Sequence, residues 1–178
     1  MFLLNVLIVY ILLVPLAVFI HEMGHALGII LFTKHTHANL FLGPPNNEKC
    51  KRFAMGRINF HFRWATFGFC FSADKEGKRT TEKLSEAQGA IIAAGGPFLS
   101  LVFALIAFST SPLFTGELYA LMRAFTILNL ATFLSTALPY KYPSWKAKPL
   151  AGMPTDGYRV RALVRKIKQK RKEQRNVG

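Results

Sequence analysis

The sequence has few acidic residues and few cysteines, and its first twenty residues carry no charged side chain. Its 178 residues include 9 Asp and Glu against 23 Lys and Arg, a formal net charge of +14. Cys50 and Cys70 are not a closely spaced metal-binding pair, and both fall in a segment that we assign to the cytoplasm below, so we expect reduced thiols. A long uncharged stretch at the start of the chain favours a membrane protein over a soluble domain.

Three apolar blocks are long enough to cross a bilayer, which takes about 20 residues. They cover about residues 2–32, 87–110 and 118–138, and Pro15 predicts a kink in the first. A signal peptide is disfavoured there, because the block lacks a basic flank and runs directly into a histidine motif. We therefore predict a mainly α-helical, polytopic membrane protein with three transmembrane helices, in one domain spanning 1–178.

The basic residues lie on one side of these blocks. Residues 33–86 contain ten Lys and Arg, residues 139–178 contain twelve, and the link at 109–117 contains none. The positive-inside rule then places the N-terminus outside and the 33–86 loop and the C-terminus in the cytoplasm. We expect a bacterial cytoplasmic membrane. The basic helix predicted at 157–175 suits anionic lipid or plain solvation, and we expect no nucleic-acid partner because one would not explain the apolar blocks.

The loop between the first two blocks predicts strands. Residues 38–73 contain partial alternation and many aromatics, as in RINFHFRWATFGFCFS, which is typical of a small sheet. A turn is predicted at residues 43–47, where Gly and Pro are followed by Asn. We expect this strand-rich loop at the inner membrane face.

The first apolar block ends in the motif HEMGH, residues 21–25. On a helix, His21 and His25 lie on one face, so two imidazole nitrogens can bind one ion, and Glu22 beside them can act on water as a general base. The same motif also occurs by chance on solvated helices. Inside an apolar span, however, ionisable groups are costly unless they are paired or functional, which favours a zinc site.

Catalytic zinc usually has three protein ligands. Glu117 is predicted to lie on the opposite side of the membrane, Glu173 is in the basic tail, and the loop acids stand among lysines. Asp156, in AGMPTDGYRV after the third block, remains as the candidate. An Asp-Gly turn or a helix cap is the alternative interpretation of this residue.

Three motifs together resemble the site-2 protease family of intramembrane zinc metalloproteases. H-E-x-x-H matches residues 21–25, G-P-x-x-[NS] matches 96–100, and P-x-D-G with x-R-V matches 154–160. The resemblance implies a core of three transmembrane helices. It also implies zinc held by His21, His25 and Asp156, with Glu22 as the general base. Such an enzyme would cleave transmembrane segments or membrane-bound peptide remnants near the cytoplasmic face, as in regulated intramembrane proteolysis.

The resemblance also implies that Asn129 helps to position the substrate or the metal site, although helix packing is an alternative role for an amide in a span. Gly95, Gly96 and Pro97 permit either a close helix approach or a local break in the second span. A break would let substrate backbone or water reach the zinc, so we expect Gly96 and Pro97 to help position the substrate or the site. The chain departs from the family at Thr136, where a second Asn is usual, and in a long segment, 140–155, before Asp156. A non-catalytic membrane protein of the same fold that binds hydrophobic segments is the alternative function. The sequence leaves the oligomeric state open.

Overall fold

The computed structural model describes residues 2–44, 50–79, 84–145 and 150–177. Its helices are α1 (Phe2–Ile8), α2 (Val14–Phe32), α3 (Glu86–Thr110), α4 (Gly116–Ala137) and α5 (Asp156–Val177). A π-helical turn, Val9–Leu13, joins α1 to α2, and a 3₁₀ helix, Ser111–Leu113, follows α3.

Among the described residues, three helical stretches are long and apolar enough to cross a membrane, namely Leu3–Phe32, Glu86–Leu113 and Gly116–Ala137. Many of their large apolar side chains point outward; Leu105 and Ile127, for example, are more than half exposed. Such a surface suits contact with lipid acyl chains. The predicted mainly α-helical membrane architecture with three spans is confirmed.

The first span is irregular just before Pro15. Because proline has no N–H, the carbonyl of Ile11, four residues earlier, loses its helical partner. The π-helical turn covers this region, and the Trp64 Nε1–H donates to the Ile11 carbonyl oxygen at 3.3 Å. The sequence predicts a kink at Pro15. The structure adds that a tryptophan from the strand-rich loop contacts the interrupted helix.

Four strands form one sheet in the order β2-β3-β1-β4. They are β1 (His37–Leu42), β2 (Lys51–Met55), β3 (Ile58–Phe62) and β4 (Gly68–Ala73). β1 and β3 are parallel, and the pairs β1–β4 and β2–β3 are antiparallel. Gly56, at φ 59°, lies in the β2–β3 turn. The predicted strands are thus present. The predicted turn at 43–47 begins at Gly43, but its residues 45–47 lie outside the described part of the chain.

The sheet packs lengthwise against the first span. Its buried side chains, including Leu40, Ile58 and Phe60, form a core with Ala26 and Ile29 of α2. At the other end of the sheet, Leu42, Phe62 and Trp64 border the same depression as Pro15. The sheet therefore lies beside the helix and not only beyond its end, and this position brings β4 next to the histidine motif.

Glycines allow α2 and α3 to approach closely. A Cβ at Gly24 would overlap the Gly95 carbonyl oxygen, and a Cβ at Gly95 would overlap the Gly24 carbonyl. α3 continues as one α-helix through Pro97. Of the two roles predicted for Gly96 and Pro97, the close approach is therefore present. The local break is wrong, because the helix continues on both sides of the proline.

Candidate metal centre and active site

The two histidines of the motif lie one turn apart on α2 and face the interior. Both are buried, and the Nε2 atoms of His21 and His25 are 3.3 Å apart. The helical spacing alone brings the rings to one face, and burial by α3 keeps them there. The Nε2 atoms of the two imidazoles are thus placed to bind a single ion.

The second nitrogen of each ring has its own partner on α3. Nδ1 of His21 lies 3.1 Å from Ser100 Oγ, and Nδ1 of His25 lies 2.7 Å from the carbonyl oxygen of Ile92. Partners of this kind orient metal-binding histidines and set which nitrogen faces the ion. The sequence predicts neither role. Ser100 ends the Gly-Pro motif, but the motif does not indicate a histidine partner, and a backbone carbonyl such as that of Ile92 carries no sequence signal.

Asp156, the first residue of α5, completes the cluster. Its Oδ2 is 3.2 Å from His21 Nε2 and 3.4 Å from His25 Nε2. Burial alone would raise the pKa of the Asp156 carboxyl, but the adjacent His25 and His21 lower that pKa below its ordinary value. The side chain is therefore a carboxylate that points at the two rings.

The long segment before Asp156, residues 140–155, leaves the end of α4 and returns beside it, and we call it the excursion. The Thr155 N–H donates to the Tyr140 carbonyl oxygen at 3.0 Å, and the Tyr142 N–H donates to the Met153 carbonyl oxygen at 2.9 Å. These bonds join the two ends of the excursion, so α5 begins beside the end of α4. Its residues 146–149 lie outside the described residues. The extra length therefore does not displace the aspartate from the histidines.

Thr155 and Gly157 hold the start of α5 in place. The Thr155 hydroxyl donates to the Leu138 carbonyl oxygen at 2.6 Å and accepts from the Tyr158 N–H at 3.3 Å, as a helix N-cap does. A Cβ at Gly157 would overlap the Ala137 carbonyl oxygen. This tight junction fixes the position of the carboxylate between them.

The cluster fits a zinc ion. One ligand atom from each of His21, His25 and Asp156 lies within 4.8 Å of the other two. Two imidazole nitrogens and one carboxylate oxygen are a donor set that zinc accepts, with three protein ligands leaving a position open for chemistry. Gly96 faces both rings, and a Cβ there would overlap His25 Nε2 and lie 2.8 Å from His21 Cε1. The absence of a side chain at Gly96 therefore preserves the space beside the ligand atoms.

Glu22 lies next to this cluster and faces β4. It is buried, and no other described residue forms a hydrogen bond or an ion pair with its carboxylate. A Cβ at Gly68, the first residue of β4, would lie 2.6 Å from Glu22 Cγ, so the strand packs directly on the glutamate. An unpaired carboxylate in such a place is available for proton transfer.

A cavity of about 260 Å³ joins these groups. Its walls come from α2, β4, α4, the excursion and α5, and include Glu22, Gly68, Cys70, Thr136, Tyr142 and Asp156. Burial raises the pKa of the Cys70 thiol well above its usual value, so the thiol stays protonated. Burial, with Tyr140 next, raises the pKa of Tyr142 to about 12, which keeps the phenol a neutral donor. The cavity thus combines a metal-type cluster, a carboxylate without a partner in the described part of the chain, and walls with both polar and apolar groups.

Two of the positions predicted to assist the site lie away from this cavity. Asn129 is fully buried, and its Nδ2 donates to the Phe125 carbonyl oxygen at 3.0 Å, while its Oδ1 has no partner among the described residues. Pro97 borders a different depression, between α3, α4 and α5. Thr136, where the family usually has Asn, does line the cavity. A positioning role for Asn129 and Pro97 remains a prediction.

The fold and the site define an integral membrane protein with a histidine–histidine–carboxylate cluster enclosed by its helices. Residues 9–176 match Peptidase family M50. The chain belongs to this family, the site-2 protease family, and the sequence-based assignment is confirmed. M50 peptidases are generally zinc metalloproteases, which indicates an intramembrane metalloprotease type of function. No curated protein and no solved structure matches the chain significantly.

Proposed function

We propose that the protein is a zinc endopeptidase that cleaves transmembrane segments or membrane-bound peptide remnants near the cytoplasmic face. The observation that supports this most is the meeting of His21, His25 and Asp156 within one cavity, beside the carboxylate of Glu22, which has no partner among the described residues. The three ligand atoms come from two helices far apart in sequence. A purely structural role would not need a buried, unpaired carboxylate next to them.

In this proposal His21, His25 and Asp156 hold zinc, which when bound supplies a Lewis acid for peptide hydrolysis. Glu22 accepts a proton from the attacking water as a new C–O bond forms at the scissile carbonyl carbon. The same carboxyl then returns the proton to the leaving nitrogen as the C–N bond breaks. Ser100 and the Ile92 carbonyl keep the two imidazole rings in the orientation that this arrangement needs.

Substrate would reach the site along β4. This strand is at the edge of the sheet, with β1 as its one strand neighbour among the described strands, and Gly68, Phe69 and Cys70 line the cavity. An extended segment that added to β4 would expose its peptide bonds, which a transmembrane helix shields. The unwinding of a substrate helix and its positioning beside Glu22 would then occur together.

The proposed orientation places the N-terminus outside the cell and the C-terminus in the cytoplasm. It rests on the basic residues of the 33–86 loop and of the tail. A bacterial cytoplasmic membrane suits this arrangement. His21 and His25 are nearer the loop end of the first span than its N-terminal end, so the cleavage site would lie toward the cytoplasmic side.

Glu22→Gln tests the proposal, because glutamine keeps the size of the side chain but cannot accept the proton. We expect cleavage of a panel of single-span fusion proteins by purified protein to fall by at least about 100-fold. Zinc content should stay near that of the wild type, whereas Asp156→Ala should lower it.

Glu76→Gln is the matched control, since it makes the same change at an exposed loop residue and should alter neither readout. If Glu22→Gln retained both zinc and wild-type cleavage, Glu22 would not be the base. If folded wild-type protein neither bound zinc nor cleaved any segment, the alternative of a non-catalytic protein that binds hydrophobic segments would replace the proposal.

A further inference from the structure

A second concave surface lies on the other side of α5 from the proposed active site. This groove, which we call the α5 groove, has a volume of about 760 Å³ and runs between α3, α4 and residues 157–168 of α5. Its apolar wall includes Phe98, Leu101, Phe133 and Val164. Phe98 belongs to a membrane span and is 66% exposed. The α5 groove therefore presents open apolar surface that only lipid or another apolar chain would cover.

Three cations line the same groove. Arg161, Arg165 and Lys168 are exposed and lie at positions i, i+4 and i+7, on one face of α5. None of the three has an acidic partner among the described residues. Two other cations of this helix do have such partners, since Lys170 pairs with Glu86 and Arg159 Nη1 is 3.9 Å from Asp156 Oδ1. The cations of the α5 groove are thus available for an anionic ligand.

The direction of α5 separates the charged part of the groove from its apolar part. α5 begins at the histidines, Leu163 contacts Gly89, and Lys170 reaches Glu86 at the start of α3. The helix therefore runs toward the end of α3 that meets the aqueous phase. Arg165 and Lys168 lie toward that end, whereas Leu101 and Phe133 lie further along the spans. This is the polarity of a phospholipid, with a headgroup at the surface and acyl chains below it.

We propose that the α5 groove is a binding site for one anionic phospholipid. Its phosphate would lie against Arg161, Arg165 and Lys168, and an acyl chain would lie along Phe98, Leu101 and Phe133. A free phosphate would leave the apolar wall exposed, and a zwitterionic lipid would bring a cationic group that offsets the negative charge of its phosphate. Basic grooves beside transmembrane helices bind anionic headgroups for the same electrostatic reason.

Native mass spectrometry of the full-length, detergent-purified protein can test this. The probes are phosphatidylglycerol and phosphatidylcholine with identical acyl chains, titrated separately. We expect the wild type to retain phosphatidylglycerol at least about tenfold more tightly, because each basic residue near an anionic headgroup favours binding severalfold. The triple variant R161Q/R165Q/K168Q should reduce that preference to near unity.

Two further variants distinguish lipid binding in the groove from general attraction of anionic lipid to the basic helix. R171Q/K172Q/R175Q removes three charges from the end of α5, where none lines the groove, and should keep the preference. Ala94→Trp, at an exposed position of the groove wall, should reduce retention of both lipids without changing the charge.

Several outcomes would overturn the proposal. Equal losses in the two triple variants would mean general attraction to a basic helix. An unchanged retention in Ala94→Trp would remove the apolar wall from the site. Glycerol phosphate that bound as tightly as phosphatidylglycerol would point to a soluble phosphate instead of a lipid. None of these readouts depends on proteolysis, so the groove can fail or succeed independently of the proposed activity.

Discussion

The two sides of α5 differ in how closely they are packed and in how their charges are matched. On one side, Asp156 contacts two histidines, and Gly157 allows the helix to meet the end of α4 without a side chain between them. On the other side, Arg161 and Arg165 line an open groove and have no acidic partner among the described residues. One helix therefore carries a compensated, enclosed charge and a set of uncompensated, open ones.

This difference indicates how each side responds to substitution. An enclosed charge cluster depends on exact distances, so adding one methyl group there should abolish function. An open, solvated charge depends mainly on the field around it, so single changes should have graded effects. The predictions below follow from that contrast, and the first has the largest expected effect.

Gly96→Ala should eliminate the metal site. The added Cβ would overlap His25 Nε2 and lie 2.8 Å from His21 Cε1, so at least one ring must move. We expect zinc content near zero and a loss of cleavage as large as that of Glu22→Gln. Metal analysis of purified protein measures the first, and phosphatidylglycerol retention by the α5 groove should be unchanged.

Gly89→Ala is the control, since its Cβ would meet only the end of the flexible Leu163 side chain, at 3.2 Å. It should retain zinc. Full zinc occupancy in Gly96→Ala would show that the His21 and His25 rings do not require a glycine at position 96 of α3.

Ser100→Ala should have an intermediate effect, because it removes the partner of His21 and leaves all three proposed ligands in place. Loss of such a partner typically weakens metal affinity by about 10- to 100-fold. Competition with a chelator would measure this change. Ser111→Ala removes a buried hydroxyl that instead donates to the Phe108 carbonyl oxygen at 2.8 Å, so it should leave zinc affinity unchanged. Equal affinities in the two variants would show that Ser100 does not orient His21.

Thr155→Ala should have the smallest effect, but it should affect both the metal cluster and the α5 groove. The substitution removes the N-cap and the bonds to Leu138 and Tyr140, which typically costs about 1 kcal/mol. We expect a lower thermal midpoint, weaker zinc binding and a modest loss of lipid preference. Thr155→Ser keeps the hydroxyl and should behave like the wild type. If Thr155→Ala weakened zinc binding but left the lipid preference unchanged, the start of α5 would not position both the aspartate and the groove cations.

Much of the proposed site follows from local sequence. The i and i+4 spacing of His21 and His25 puts both rings on one face of any helix, whatever packs against it. Their position inside an apolar span is unfavourable unless the side chains have a function, which singles them out. The position of Asp156 depends less on local sequence. Its distance from the histidines depends on how the 140–155 excursion closes, and this closure depends on pairing between residues at its two ends.

Other parts of the site had no usable sequence signal. Ser100 contacts a histidine 79 positions away, Ile92 acts through its backbone, and Gly68 contacts Glu22 only because the sheet lies along α2. Asn129 shows the opposite case. As a polar residue in an apolar span it carries a clear sequence signal, yet it is fully buried and does not line the cavity, so its positioning role stays a prediction.

The sequence by itself determined the three spans, the strands, the basic side of the chain and the pair of histidines. All of these depend on the length, periodicity or composition of contiguous segments, which local physics governs. Only the tertiary structure decided that the sheet lies beside the first span, that the excursion returns Asp156 to the histidines, and that α5 has one compensated and one uncompensated side. These features arise from contacts between segments far apart in the chain, where close packing and charge pairing select among many arrangements that the local pattern permits.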